Sequence, residues 1–368
     1  MIKYLGSKRL LVPVLGRIAA AVEARTALDL FTGTTRVAQE FKRRGLDVTA
    51  VDVATYAEVL GRCYIGTDAD TVDRDELAQA LERLNLLPGR RGYVTRTFCE
   101  QARYFRPENG RRIDAVRDAI EDHTGSPLHP VLLTSLLLAA DRVDSTTGLQ
   151  MAFLKQWSPR SAHPLNLVAP ALLPGPGRAL LGDASTVVDE LPPVDLAYLD
   201  PPYNQHRYFT NYHVWETLVR RDEPEHYGIA CKRLDARDQA TKSVFNYRGT
   251  MPDAVRSVLA RTRARLVVAS YNDESWMTAD EISRALADAG HECVAVLGFD
   301  SRRYVGARIG IHNLLGERVG EVSHVRNTEF LFVAGPRDLV DAAVAAAGSF
   351  TTLNPAVSPG PAELKRTS

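Results

Sequence analysis

Signals for a metal site, a disulfide framework and a membrane span are all absent from this sequence of 368 residues. The four cysteines lie far apart, so we expect no metal requirement and a reducing, cytoplasmic environment. No apolar run approaches the roughly 20 residues that span a membrane. Lys3, Lys8 and Arg9 precede an apolar run, as in a secretory signal. Arg17 limits that run to about seven residues, the lower end of the length such a signal needs. We therefore expect no membrane partner.

An excess of either charge is also absent, since 45 basic and 45 acidic residues leave a formal net charge of zero. A balanced total argues against a broadly basic, nucleic-acid-binding surface. Locally, however, the segment 90–112 contains seven arginines and only two acidic residues. Four aromatic residues (Tyr93, Phe98, Tyr104 and Phe105) are interleaved with the arginines. This mixture suits phosphate contact and base stacking, and the alternative is a solvent-exposed arginine-rich face.

The glycine fingerprint of dinucleotide sites is missing after the first predicted strand, 27–31. Thr34 and Thr35 stand where that fingerprint needs glycines, which argues against a nicotinamide oxidoreductase. A single glycine, Gly33, remains at the predicted strand-to-helix turn, and Asp52 ends the next strand. Gly33 lets the backbone approach a ligand closely, and the Asp52 carboxylate can accept hydrogen bonds from a ribose diol. Alone, this pair is equally compatible with any nucleotide site or with a tight turn.

Strand and helix patterns alternate at both ends of the sequence and predict an α/β fold. After the first βαβ segment, charged and helical patterns replace them from about residue 61 to 143. The apolar segment 131–143 is predicted to be a buried helix. The later predicted strands are 195–199, 266–270, 294–297 and 329–333. We therefore expect a doubly wound sheet interrupted by a mostly helical insert, with ligands at the carboxyl ends of its strands.

The tetrapeptide Asp200-Pro201-Pro202-Tyr203 follows an apolar strand and is the most specific motif of the sequence. The two prolines stiffen the turn, which exposes the Pro201 carbonyl and orients the Asp200 carboxylate. Both groups accept hydrogen bonds, and two fixed acceptors would favour the positive charge that develops when an aromatic amine attacks. Tyr203 can stack on a base that has left the helix. The alternative is a strand-terminal turn with an incidental aspartate.

Two further segments are weaker candidates. Tyr4 and Lys8 precede a predicted helix start, where a carboxylate can bind, although an ordinary capped helix explains them equally well. Arg207, Tyr208 and Asn211 belong to a polar-aromatic segment after the tetrapeptide. We interpret this segment as a lid or DNA-contacting loop, and a helix start with surface rings is the alternative.

Taken together, these motifs resemble the D12 class of N6-adenine-specific DNA methyltransferases, in which they occur in this order. The matching segments are Tyr4–Lys8, Asp29–Thr34, Asp52, Gly182–Ala184, Asp200–Tyr203, Ser270–Asn272 and Asn327–Phe332. Thr35 departs from the small residue or glycine that is more common in the class. The resemblance covers about residues 1–62 and 175–335.

The resemblance implies a Rossmann-like methyltransferase sheet formed by residues 1–62 and 175–345, a target-recognition region at 63–174 and a loose tail at 346–368. It implies transfer of a methyl group from S-adenosylmethionine to N6 of a flipped-out adenine in double-stranded DNA. It leaves open whether a cognate restriction endonuclease is a partner. The catalytic residues would be Asp200, Pro201, Pro202 and Tyr203. The cofactor-binding residues would be Tyr4, Lys8, Asp29, Phe31, Gly33, Thr34, Asp52, Asp183 and Asp200. The DNA-binding residues would be Arg96, Arg103, Arg106, Arg207, Tyr208 and Asn211.

Other functions stay open at this point. The nearest is a methyltransferase that acts on N4 of cytosine or on a base in RNA. The aspartate at the first tetrapeptide position favours adenine, because related cytosine enzymes more often carry serine there. A DNA-binding protein that kept the fold and lost activity is a second alternative, which the intact tetrapeptide and Asp52 argue against.

Overall fold

The structure is a computed structural model, and it describes residues 2, 8, 10–202, 208–272, 275–302, 311–312, 318–320, 326–348 and 351–352. Its α-helices are α1 (Val12–Ala21), α2 (Arg36–Arg43), α3 (Thr55–Gly61), α4 (Arg74–Leu86), α5 (Pro107–Ile120), α6 (Leu128–Val143), α7 (Ala184–Val187), α8 (Tyr208–Asn211), α9 (His213–Arg220), α10 (Met251–Arg261), α11 (Ala279–Asp288) and α12 (Arg337–Ala347). Its strands are β1 (Thr26–Asp29), β2 (Asp47–Asp52), β3 (Gly177–Leu181), β4 (Val194–Leu199), β5 (His226–Tyr227), β6 (Lys232–Arg233), β7 (Ala264–Asn272), β8 (Cys293–Arg302), β9 (Ile311–His312), β10 (Arg318–Gly320), β11 (Arg326–Gly335) and β12 (Thr351–Thr352).

The chain divides into two compact units. We call residues 1–8, 32–183 and 206–243 the helical unit, and residues 9–31, 184–205 and 244–368 the sheet unit. The domain boundaries expected from the sequence stay a prediction. Residues 353–368 of the expected tail lie outside the described residues.

Within the described residues, the main sheet of the sheet unit has six strands in the order β12-β8-β11-β7-β4-β1. Strands β1, β4 and β7 are parallel, whereas β11 runs antiparallel to both β7 and β8. Strand β4 lies between β1 and β7, and its residues 196–199 are buried, which explains why its sequence is a nearly continuous apolar run. Thr278 and Glu281 form a reciprocal capping box that begins α11. Parallel strands alternating with helices confirm the predicted α/β fold.

The helical unit contains the parallel pair β2 and β3, and the chain between them forms helices and loops but no strand. Helix α6 is its central element: almost every residue is buried, as the apolar sequence predicts, and it packs on α3 and α5. Two π-helical turns, Arg62–Gly66 and Thr95–Gln101, also pack in this region. The mostly helical insert is therefore present as predicted.

The four cysteines are free and buried. Within the described residues, no helix is long and apolar enough to cross a membrane.

Candidate active site

Asp200 lies directly after β4, at the edge of the sheet unit where the parallel strands β1, β4 and β7 end. Pro201 is buried and Pro202 is half-buried. The Ser270 hydroxyl, near the end of β7, donates a hydrogen bond to Asp200 Oδ1 at 2.8 Å, and the Tyr198 hydroxyl lies 2.8 Å from Ser270 Oγ. The carboxylate therefore has a defined orientation at a strand end. Tyr203 lies outside the described residues.

A cluster of apolar side chains lies next to this turn in the sheet unit. A small cavity of about 10 Å³ is lined by Phe31, Pro201 and Phe245 together with aliphatic side chains from β7 and α10. The Phe31 and Phe245 rings meet edge to face, with centroids 5.2 Å apart. Phe31, a predicted cofactor residue, is thus held against the same apolar surface that Pro201 contacts. Asp29, another predicted cofactor residue, is buried at the end of β1.

The loop at 32–35, which we call the glycine loop, contacts Asp52 within the helical unit. The Gly33 N–H donates to Asp52 Oδ2 at 2.8 Å, and the Ala54 N–H donates to Oδ1 at 2.9 Å. Gly33 has φ 50°, in the left-handed region that favours glycine. Thr35, two residues after Gly33, has φ 61°, an uncommon value for a β-branched residue. Its hydroxyl donates to the Thr34 carbonyl and accepts from Gln39 Nε2, which holds the loop in this conformation.

Burial raises the pKa of Asp52 to about 6, with a smaller contribution from the nearby Glu216 carboxylate. Glu216, on α9, is itself fully buried. It accepts backbone N–H groups of Thr55 and Tyr56 at the start of α3 and pairs with Arg220 at 2.7 Å. Sequence analysis missed Glu216, because nothing near it in the sequence marks a carboxylate that caps a helix 160 residues away.

The other predicted cofactor residues of the helical unit are Tyr4, Lys8, Thr34 and Asp183. The Gly182 N–H donates to the Asp52 carbonyl at 2.9 Å, so half-buried Asp183 follows directly beside Asp52. Thr34 is half-buried in the glycine loop, and Lys8 is buried. Tyr4 lies outside the described residues. The structure thus brings Gly33, Thr34, Asp52 and Asp183 together within one unit.

The predicted DNA-binding arginines fall into two groups. Arg96 pairs with Glu223 at 3.3 Å. Arg103 and Arg106, in contrast, both lie over the Trp157 ring, 4.9 and 5.3 Å from its centroid, and neither pairs with a carboxylate of the described residues. Sequence analysis missed Trp157, because it lies about 50 residues beyond the arginines and no motif near it marks it as their partner. Arg103 also donates to the Lys155 carbonyl and Arg106 to Ser161 Oγ, so within the described residues both guanidinium groups have neutral partners, which only the folded chain shows.

Two expectations about aromatic residues are wrong. Phe98, Tyr104 and Phe105 are at most 1% exposed in the core of the helical unit, so they cannot stack on bases. Burial of a large aromatic ring is favourable because it removes much apolar surface from water, and these three rings lie in the core rather than on a surface shared with the arginines.

The second correction concerns the segment after the tetrapeptide. Its described part is helical rather than a loop, since it forms α8 and the start of α9. Tyr208 is half-buried and stacks on buried Tyr212, with centroids 6.4 Å apart. Asn211 is 4% exposed, and its carbonyl accepts the Gln150 N–H. The described part is therefore helical, as the alternative predicted, but its tyrosine rings are buried or half-buried rather than on the surface. Arg207 lies outside the described residues.

A metal centre has no support within the described part of the chain, where no group of three or more histidine, cysteine, aspartate or glutamate side chains could hold an ion.

Known DNA methyltransferases align with most of the chain. The Type II methyltransferase M.NlaIII of Neisseria lactamica is 31% identical over 266 residues, which cover 69% of this chain and 77% of that protein. The Type II methyltransferase M.CviAII of Paramecium bursaria Chlorella virus 1 is 27% identical over 281 residues, or 73% of this chain and 81% of that protein. Modification methylase StsI of Streptococcus sanguinis is 28% identical over 309 residues, or 78% of this chain and 46% of that protein. The chain thus spans less than half the length of that third relative.

The family of D12 class N6 adenine-specific DNA methyltransferases matches residues 4–284. This range includes the glycine loop, Asp52 and the turn at Asp200, and of the segments that carry the resemblance only Asn327–Phe332 lies beyond it. A match of this extent contradicts the nicotinamide oxidoreductase alternative. The chain therefore belongs to the D12 class of N6-adenine-specific DNA methyltransferases.

Proposed function

We propose that this DNA methyltransferase transfers a methyl group from S-adenosylmethionine to N6 of an adenine that is flipped out of double-stranded DNA. The observation that carries the proposal is the Asp200-Pro201-Pro202 turn at the end of β4, with the Asp200 carboxylate oriented by Ser270 at 2.8 Å. Flipping is required because the exocyclic amine cannot reach an active site from within the duplex. The Type II relatives support a role in restriction–modification, for which a cognate endonuclease would be the partner.

The turn would act on the adenine amine by hydrogen bonding. The Asp200 carboxylate and the Pro201 carbonyl are both acceptors, and the amine offers two N–H donors. Accepting both N–H groups favours the positive charge that develops on nitrogen during attack, because the acceptors are already oriented before the reaction. Tyr203, in the family tetrapeptide, would stack on the flipped base.

The glycine loop fits the cofactor. Close backbone approach at Gly33 and the half-buried Asp52 carboxylate, whose two oxygens each accept one backbone N–H, leave lone pairs that can accept ribose hydroxyls. We propose that Asp52 binds the ribose and that Thr34 and Asp183 line the same site. Lys8, Asp29, Phe31 and Tyr4 are proposed as further cofactor contacts from the family motifs. The bound cofactor would supply the electrophilic methyl group.

The affinity for S-adenosylmethionine is expected to fall as the pH drops below about 6. Burial holds the pKa of Asp52 near this value in the free protein. Ribose hydroxyls donate more strongly to a carboxylate than to a carboxylic acid, so the bound form prefers ionised Asp52 and protonation weakens binding. Calorimetric titrations between about pH 5 and pH 8 would measure the effect. Asp52→Asn should bind more weakly near neutrality and lose the pH dependence. An affinity that does not change across this range in the unaltered protein would contradict the assignment of Asp52.

The proposed reaction is tested directly by tritium transfer from labelled S-adenosylmethionine to unmethylated double-stranded DNA, followed by nucleoside chromatography. We expect label in N6-methyladenine. A product at N4-methylcytosine, or transfer to RNA alone, would move the function to the alternatives that the sequence left open. The absence of any transfer by folded, cofactor-binding protein on mixed-sequence DNA would contradict the proposal.

A further inference from the structure

We propose that Tyr198 and Ser270 are positioning residues for the reaction, and that they form a hydrogen-bond relay which orients the Asp200 carboxylate. The proposal rests on the function proposed above. The relay consists of two contacts in the sheet unit, each 2.8 Å long, from the Tyr198 hydroxyl to Ser270 Oγ and from Ser270 Oγ to Asp200 Oδ1.

The direction of the relay follows from the number of hydrogens. An ionised carboxylate can only accept, so the single hydrogen of the Ser270 hydroxyl points to Asp200. Ser270 Oγ therefore accepts from Tyr198, whose hydroxyl is the donor. Donation by Tyr198 polarises the serine hydroxyl and strengthens its bond to the carboxylate, as expected for consecutive hydrogen bonds at low dielectric.

The sheet itself aligns these groups. Tyr198 and Leu199 of β4 are paired with Val268 and Ala269 of β7, so Asp200 and Ser270 are the next positions in the same parallel register. Both relay hydroxyls belong to buried residues, with Ser270 at 0% and Tyr198 at 1% exposure. Water cannot easily replace either partner. The relay is therefore a fixed part of the strands rather than an adjustable surface contact.

Fixing one carboxylate oxygen restricts rotation of the Asp200 carboxylate about its final side-chain bond. An amine that must meet the carboxylate in one orientation reacts more often when that orientation is already populated. The relay hydroxyls do not touch the adenine or the cofactor in this proposal, so their effect should fall on kcat rather than on binding.

The first test is removal of each hydroxyl. Ser270→Ala should lower kcat about tenfold and Tyr198→Phe about threefold, with the KM for DNA and the affinity for S-adenosylmethionine changed less than about twofold. Tyr198→Phe keeps the ring and its packing, so it tests the relay even if Ser270→Ala folds poorly. Ser283→Ala is the matched control, because among the described residues that hydroxyl donates to a carbonyl within α11.

The second test is the double-variant cycle, which a merely structural role of either hydroxyl would not reproduce. If Tyr198 acts through Ser270, Tyr198→Phe should have no further effect on kcat in the Ser270→Ala protein. Equal effects of Tyr198→Phe in both backgrounds would overturn the relay. So would an unchanged or increased kcat in Ser270→Ala, or a loss confined to KM.

Failure of the relay is distinguishable from failure of the proposed function. If the unaltered protein forms N6-methyladenine and the relay variants match it in kcat, only the relay is wrong. If the unaltered protein forms no N6-methyladenine, the proposed function is wrong and the relay proposal fails with it.

Discussion

Replacing Asp200 by alanine is expected to lower kcat by roughly a hundred- to thousandfold, or about 2.7–4 kcal/mol, the usual effect of removing one preorganised partner of a developing charge. The affinities for S-adenosylmethionine and DNA should remain largely intact, because the carboxylate is proposed to act when the amine becomes positively charged. The expected loss exceeds that of Ser270→Ala, since Ser270 only orients the carboxylate that Asp200 supplies. Single-turnover tritium transfer, with DNA and cofactor binding measured separately, checks the prediction.

Asp195→Ala is the matched control for Asp200→Ala, because Asp195 lies near the other end of β4. The Asp195 carboxylate accepts the backbone N–H groups of Arg25 and Thr26 at 2.9 and 3.1 Å, so it joins β4 to β1. Asp195→Ala should lower the melting temperature but leave kcat per folded molecule unchanged. Full activity in a folded Asp200→Ala protein would remove the catalytic assignment, and with it the main support for the proposed mechanism.

The second large effect is expected from the double replacement of Arg103 and Arg106 by alanine. These two guanidinium groups lie on Trp157 and have neutral hydrogen-bond partners but no carboxylate partner within the described residues, so we expect their charge to act on phosphates. The slope of log affinity against log salt should decrease by about two units, one for each lost phosphate contact, and DNA affinity should fall roughly tenfold or more. Fluorescence anisotropy of a labelled duplex across a salt series measures both quantities.

The ion-paired arginines of the same segment provide the control. Arg91 pairs with Glu100 at 2.6 Å, and Arg90 pairs with Asp118. Replacing these two by alanine removes the same charge from the chain but should change the salt slope by less than about one unit, because their charges are already compensated. Equal slopes in the two double variants would show that Arg103 and Arg106 belong to an ordinary solvated face. S-adenosylmethionine binding should be the same in both.

The strand ends that carry the chemistry were predictable because local rules govern them. A nearly continuous apolar run predicts a strand buried on both faces, and β4 is such a strand. A turn of two prolines ends it, so Asp200 could be placed at a carboxyl end from the sequence alone. The same reasoning placed Asp52 at the end of β2 and Gly33 at the turn before α2. The hydrogen bond from the Gly33 N–H to Asp52 shows that these two predicted residues lie together.

The local environment of the arginines was not predictable in the same way. From the sequence, the arginines and aromatics of 90–112 were predicted to form one surface. In the folded chain Phe98, Tyr104 and Phe105 are buried, so the arginines have other partners. Whether an arginine meets a carboxylate or the Trp157 ring depends on contacts up to 127 residues away in the chain. The hydrophobic pattern of a short sequence segment cannot predict which of these partners an arginine contacts.

The sequence by itself determined the α/β fold class, the helical insert and the family motifs, because hydrophobic periodicity, prolines and glycines act through neighbouring residues. Tertiary structure alone decided which polar groups meet. It aligned Tyr198, Ser270 and Asp200 by the register of two parallel strands, and it placed buried Glu216 at the start of α3 beside Asp52. The reason is physical: a buried hydroxyl or carboxylate must find a hydrogen-bond partner, and packing selects that partner from distant parts of the chain.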